Sequence, residues 1–157
     1  MMRVYADTNF LTQLYIQRPD TERAGRLVAT ARGQGLTHLP ITWLLYIETV
    51  NAFEQYVFLS RTLGGVRVTP EQASIANRGF RQDMEAGDFL ASAEPGLPEL
   101  TTGCEDLSRR HTARHGFRAY DLVHVASALV LQSEHFWSFD QRARKLAALE
   151  GLKVNAI

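Results

Sequence analysis

Short β-favouring runs alternate with longer helical patterns along the whole chain, and this alternation limits the folds it can adopt. The predicted strands are Val4–Tyr5, Leu36–Ile41, Asp88–Ser92, His135–Phe139 and Leu152–Ala156. Between the strands, apolar residues recur with the period of an amphipathic helix. Parallel strands need long crossover connections, and helices supply them. The pattern therefore predicts an α/β protein with a parallel sheet and helices on both faces.

Capping and breaking residues mark the predicted helix boundaries. Thr42 and Thr69 each precede a helical pattern, and a threonine side chain can accept a hydrogen bond from the first turn. Gly64 and Gly65 are expected to close the long helix that follows Thr42. The segment 95–98 contains two prolines and predicts an irregular connection, with the next helix over 99–115.

Composition and charge limit the classes of function. At 157 residues and 45% hydrophobic content, the chain has the size of one domain with a substantial core. Its formal net charge is zero, so any contact with a polyanion must be local. A single cysteine, Cys104, excludes an internal disulfide and a multi-cysteine zinc site. No apolar run approaches a membrane span and no signal-peptide pattern occurs, so we expect a soluble, cytoplasmic protein without a membrane association.

Four acidic residues occupy positions that suggest chemistry. Asp7 and Asp140 each follow a predicted strand and precede a helix, Asp121 opens the most apolar helix, and Glu48 lies mid-helix among apolar or small neighbours. Each also has a plain interpretation. The aspartates can serve as helix caps, and Glu48 can be a surface residue. A possible cap at Ser138 would leave Asp140 free for another role.

Taken together, the four acids predict a cation site. The carboxyl ends of parallel strands and the helix starts that follow them lie at one edge of a sheet. Carboxylates that converge there repel one another and take up protons unless a divalent cation offsets their charge. An oxygen-only ligand set suits Mg²⁺ or Mn²⁺ better than zinc.

Four segments resemble the PIN domain, specifically the VapC-type toxin ribonucleases of bacterial toxin–antitoxin pairs. They are YADTNFL, WLLYIETVNAF, RAYDLVHVASAL and FWSFDQRARKL, and they occur in the family's order. The resemblance implies a three-layer α/β/α sandwich with a central parallel sheet, formed by residues 1–157 as a single PIN-like domain. It also implies a metal-dependent endoribonuclease that cuts single-stranded or loop RNA. A cognate antitoxin would cover its acidic groove, and a homodimer is compatible with it.

The resemblance assigns roles residue by residue. It places Asp7, Glu48, Asp121 and Asp140 at the metal site, with Thr8 or Asn9 and Ser138 as polar supports. Two positions depart from the usual pattern. The family often has threonine where Ser138 stands, and smaller residues are also frequent where His124 shares a helical side with Asp121.

A basic run lies just before Asp121, over residues 109–118. Arg110, Arg114 and Arg118 could bind RNA phosphates beside the acids, since phosphate contacts position a strand. A solvated helix face is the interpretation that we favour. We likewise expect His124 to be a hydrogen-bonded core residue, and Arg142 to pair with an acid rather than with phosphate.

Two other functions remain open. One is a non-catalytic PIN-like module that binds RNA or protein, although acids at all four positions argue against it. The other is a haloacid-dehalogenase-like phosphatase, which also uses an aspartate at a strand end. That chemistry requires a second acid two residues later, where this chain has Asn9.

Overall fold

Short parallel strands form the centre of the molecule. The structure is a computed structural model, and it describes residues 1–63 and 67–156. Within these residues the strands are β1 (Val4–Ala6), β2 (Leu39–Ile41), β3 (Leu90–Ser92), β4 (His135–Trp137) and β5 (Lys153–Val154). Strands β1, β4 and β5 pair in that order, and β2 pairs with β3. A parallel bridge from Met2 to Leu36 links the two sets.

The helices connect these strands and pack in groups. They are α1 (Thr8–Tyr15), α2 (Thr21–Gly33), α3 (Trp43–Thr62), α4 (Pro70–Ala86), α5 (Leu97–Leu107), α6 (Ala113–His115), α7 (Ala119–Val130) and α8 (Gln141–Leu149). Helix α1 contacts α2, α3 and α4, whereas α7 contacts α5 and α8. The predicted α/β architecture with a parallel sheet is confirmed.

The predicted caps form at both threonines. Thr42 Oγ1 accepts a hydrogen bond from Leu45 N at 3.2 Å at the start of α3. Thr69 and Gln72 form a reciprocal capping box at the start of α4, where Pro70 is the first helical residue. The predicted helix end at Gly64 and Gly65 lies outside the described residues.

The helical region after β3 differs from the prediction in two ways. Helix α5 begins at Leu97, two residues earlier than expected. Pro98 is tolerated in the first turn because the backbone N–H that proline lacks would have no hydrogen-bond partner within the helix there. The predicted continuous helix also contains a π-helical turn, Ser108–Thr112. The helical region still ends at Gly116, as predicted, where φ is +68°.

Aromatic side chains fill much of the core. Phe80 is fully buried, and its ring contacts the rings of Tyr15, Tyr46 and Phe53. On the sheet, Tyr5 of β1 stacks against Phe136 of β4, with ring centroids 5.8 Å apart. In the described part of the chain, no helix combines the length and apolarity that crossing a membrane requires.

Candidate functional site

Asp7 lies in the short junction between β1 and α1. It is 4% exposed, and its Oδ1 accepts a hydrogen bond from Phe10 N at 3.0 Å. Its own N–H donates to the Trp137 carbonyl at 3.0 Å, which fixes the junction against β4. The N-cap interpretation of Asp7 is therefore correct. The cap holds this carboxylate at the carboxyl end of two adjacent strands.

Asp140 occupies the equivalent junction between β4 and α8. Its Oδ1 accepts hydrogen bonds from Arg142 N at 2.8 Å and Ala143 N at 3.1 Å. The alternative in which Ser138 caps α8 is therefore wrong. Asp140 directly precedes the helix, so its carboxylate is closer to the first N–H groups of α8 than the Ser138 hydroxyl is. Ser138 is fully buried, and its Oγ accepts a hydrogen bond from Asp140 N at 2.9 Å.

Asn9 connects the two junctions. Its Oδ1 accepts a hydrogen bond from Phe139 N at 3.2 Å, so the first turn of α1 is tied to the loop that carries Asp140. The role of Asn9 as a polar support of a metal site stays a prediction.

Glu48 approaches these junctions from helix α3. Thr8 Oγ1 donates a hydrogen bond to its Oε2 at 3.0 Å, and His124 Nε2 lies 2.6 Å from the same oxygen. The side chain is only 22% exposed, so Glu48 is not a freely solvated surface residue. Helices α1, α3 and α7 therefore meet at one carboxylate.

Asp121 is the third residue of α7. Its Oδ2 accepts a hydrogen bond from Arg118 N at 2.9 Å, so the carboxylate caps the helix from inside the first turn. The same charge acts on His124 one turn later, where it contributes to raising the pKa of that imidazole. Asp121 thus both caps α7 and acts electrostatically on His124.

Burial and the neighbouring acids make the Asp7 charge unfavourable. Burial raises the pKa of Asp7 to about 6, and the negative charge of Asp140 adds to this effect. The charge of His124 and hydrogen bonds from Ser138 and Phe10 act in the opposite direction but do not cancel it. The Asp7 carboxyl group therefore ionises at a higher pH than that of an exposed aspartate.

His124 is the residue whose role the sequence left least defined. It is 5% exposed, and its Nδ1 lies 2.9 Å from the Tyr5 hydroxyl. Burial lowers the pKa of His124, whereas the hydrogen bond to Glu48 and the negative charges of Glu48, Asp7 and Asp121 raise it. The raising effects are larger together, so the pKa of His124 is above its ordinary value. The predicted hydrogen-bonded core position is confirmed. The contact of His124 with Glu48 was not predicted. The spacing of three residues was a signal, because it places His124 on the same side of the helix as Asp121, one of the predicted site acids.

The donor chemistry fits a hard divalent cation. Carboxylate oxygens are the ligands that Mg²⁺ and Mn²⁺ prefer. Burial raises the pKa of Asp7, and a bound cation would stabilise its ionised form. The four acids are coupled electrostatically through Asp7 and His124: Asp140 acts on Asp7, and Asp7, Glu48 and Asp121 act on His124. In residues 1–63 and 67–156, however, no three acidic, histidine or cysteine side chains have a spacing that could already hold an ion. Binding would thus require these side chains to move closer together.

The arginines of the basic run differ in their surroundings. Arg110 donates to Glu150 at 2.6 and 2.9 Å and to Asp106 at 2.7 Å. Glu150 follows the C-terminal end of α8, about 13 Å along the helix from its start beside Asp140. Arg114 is exposed on α6. The structure therefore separates Arg110 from the acids and engages it in ion pairs.

Arg118 and Arg142 lie beside the acids instead. Arg118 immediately precedes α7, and Arg142 is in the first turn of α8. Among the residues that the structure describes, neither guanidinium has an ion-pair or hydrogen-bond partner. The prediction that Arg142 pairs with an acid is therefore wrong, because the neighbouring Asp140 carboxylate accepts backbone N–H groups instead.

Comparison with known proteins supports the fold. No protein-family model matches the chain, and no curated protein matches it. Among solved structures, it is similar to VapC20 of Mycobacterium tuberculosis, described as a sarcin–ricin loop cleaving toxin. The identity is 15% and the TM-score 0.60, over 90% of this chain and 93% of that one. It is also similar to FitAcB from Neisseria gonorrhoeae, at 14% identity and a TM-score of 0.59, over 98% and 96% of the two chains. The protein therefore has the fold of the VapC-type PIN-domain toxins.

Proposed function

We propose that this protein is a Mg²⁺-dependent endoribonuclease that hydrolyses phosphodiester bonds of single-stranded or loop RNA, and that it is the toxin of a toxin–antitoxin pair. Mn²⁺ could serve as the ion as well. The observation that carries the proposal is the electrostatic coupling of the acids to two buried residues: Asp140 acts on Asp7, and Asp7, Glu48 and Asp121 act on His124. The fold in which this coupling occurs is shared with VapC20. VapC20 is itself described as a sarcin–ricin loop cleaving toxin.

Each acid has a role in the proposal. Asp7 and Asp121 are the direct ligands of the ion, whereas Glu48 and Asp140 act through water, because Mg²⁺ retains several waters in protein sites. The bound ion would lower the pKa of a water molecule and stabilise charge on the phosphate. The hydrogen bonds of Asn9 and Ser138 hold the two strand–helix junctions in place, and that of Thr8 holds Glu48.

The substrate and partners follow from the same site. A phosphodiester brings negative charge to an acidic centre, so nearby cations must position it. Arg118 and Arg142 are the arginines at hand for this contact. A cognate antitoxin in the cytoplasm would bind over the acidic groove, and assembly of the toxin as a homodimer is part of the same interpretation. The FitAcB neighbour supports the existence of an antitoxin partner.

The test is RNA cleavage with and without Mg²⁺. Purified wild type, Asp7→Asn, Asp121→Asn and the control Asp88→Asn are incubated with an end-labelled RNA hairpin carrying a single-stranded loop. Asp88 is exposed and lies outside the acidic centre. Wild type and the control should cut within the loop only when Mg²⁺ or Mn²⁺ is added. The two site variants should fold, as judged by circular dichroism, but lose cleavage.

Two results would contradict the proposal. Equal cleavage by wild type and the two site variants would remove the acids from the chemistry. RNA binding without cleavage by the wild type under every metal condition would favour the non-catalytic module instead.

A further inference from the structure

His124 connects the core of the protein to one acid of the candidate site. Its Nε2 lies 2.6 Å from Glu48 Oε2, and its Nδ1 lies 2.9 Å from the Tyr5 hydroxyl. Tyr5 is fully buried in β1, where it stacks against Phe136. The imidazole therefore contacts the sheet through Nδ1 and the Glu48 carboxylate through Nε2.

The two ring nitrogens have different functions in this arrangement. In both its neutral and its protonated form, the imidazole can carry a hydrogen on Nε2 and donate it to Glu48. An ionised carboxylate can only accept, so the contact with Glu48 keeps a hydrogen on Nε2. In the neutral form, Nδ1 is then left to accept a hydrogen bond from the Tyr5 hydroxyl.

The two oxygens of Glu48 are unequal. Oε2 accepts from both Thr8 Oγ1 and His124 Nε2, which approach from helices α1 and α7. In the described part of the chain, Oε1 has no hydrogen-bond donor. A carboxylate held through one oxygen retains the other for a ligand, and such outer contacts commonly orient the groups that bind metal.

We propose that His124 is a positioning residue that, together with Thr8, holds Glu48 through Oε2 and reserves Oε1 for a divalent cation or its bound water. The inference rests on the proposed metal-dependent function. It goes further by naming the residue that orients one acid and the atom through which it acts. A histidine that only fills space in the core would affect stability but would have no specific effect on metal affinity.

The test measures Mn²⁺ affinity, without RNA, by electron paramagnetic resonance of the free ion. Three variants at one position separate the roles of the ring atoms. His124→Gln retains an amide donor near the position of Nε2, His124→Asn retains a polar group near Nδ1 only, and His124→Leu removes both. We expect affinity to fall about 10-fold or more for the Leu and Asn variants, the range seen for lost outer contacts, and to be largely restored by Gln.

A double-mutant cycle with Glu48 tests whether the effect passes through that carboxylate. Glu48→Gln should weaken Mn²⁺ binding, and adding His124→Leu to it should produce little further loss. Thr8→Val provides an independent arm, because it removes the second donor from a partly buried position while keeping the side-chain volume. It should weaken binding several-fold even if His124→Leu does not fold.

The outcomes separate this inference from the proposed function. Wild-type protein that binds no Mn²⁺ would overturn both. If wild type binds and the Glu48→Gln variant is weakened, but folded Leu and Asn variants at His124 retain wild-type affinity, the positioning role is refuted and the metal site stands. Equal losses in the Gln, Asn and Leu variants would also refute it, because they would reflect packing rather than donation to Glu48.

Discussion

Replacing Asp7 with asparagine should stabilise the metal-free protein at neutral pH. The pKa of Asp7 is raised by burial to about 6, from an ordinary value of 3.8. Asparagine is as good an N-cap as aspartate and can still accept the hydrogen bond from Phe10 N. The substitution therefore removes the unfavourable buried charge and retains the cap of α1.

The size and sign of the effect follow from linkage. In the unfolded chain the Asp7 carboxyl loses its proton near pH 4, whereas in the folded protein it retains the proton until about pH 6. The wild type thus loses stability as pH rises through this interval and does not recover it above pH 6. A pKa difference of about 2 corresponds to about 3 kcal/mol, which is the gain expected for Asp7→Asn at pH 7.

The assay is urea denaturation followed by circular dichroism, from pH 3.5 to 7.5, with EDTA present. The difference in unfolding free energy between Asp7→Asn and wild type should be near zero below pH 4 and should rise to about 3 kcal/mol by pH 7. The control is Asp88→Asn, because Asp88 is exposed and should show no such rise. Adding Mg²⁺ should stabilise the wild type and leave the Asp7 variant nearly unchanged.

A difference that is equal at pH 4 and pH 7 would refute this reasoning, since it would mean that Asp7 ionises normally in the folded protein. Destabilisation of the variant at pH 7 would have the same consequence. Either result would show that its neighbours already compensate the Asp7 charge.

Two further predictions follow from the arginines and from the core. Arg118→Gln and Arg142→Gln should each weaken RNA binding and reduce its salt dependence by about one released counterion. Arg110→Gln should leave RNA affinity unchanged and should lower the free energy of unfolding by less than about 1 kcal/mol. Binding titrations at several salt concentrations measure RNA affinity and its salt dependence. A larger effect from Arg110→Gln than from the other two variants would indicate that RNA binds to the basic run over residues 109–118. Phe80→Ala should cost about 3–5 kcal/mol in urea denaturation because it removes a fully buried ring from the aromatic cluster. A loss below about 1 kcal/mol would show that this ring does not support the fold.

The sequence predicted the elements whose signals are local. The caps at Thr42 and Thr69 and the helix end at Gly116 were correct because each depends on residues within one turn of the boundary. The strands were located but predicted too long at several ends. Strand length depends on how far each neighbour extends, and that is a property of the assembled sheet.

The same division applies to the candidate site. The four acids were identified from strand ends, helix starts and an apolar helical face, and their chemical roles stay a prediction. The sequence could not decide between Ser138 and Asp140 as the cap of α8, because both lie within reach of the helix start. The structure assigns the cap to Asp140 and leaves Ser138 to accept the Asp140 N–H.

By itself, the sequence determined the alternation of strands and helices, the order of the acids and their placement at element boundaries. Only the tertiary structure decided that His124 contacts Glu48 and that Arg110 pairs with Glu150. It also decided that Arg118 has no such partner among residues 1–63 and 67–156. The physical reason is distance along the chain. Periodicity and capping act over a few residues, whereas the charge and hydrogen bonding of a buried site depend on side chains that only packing brings together.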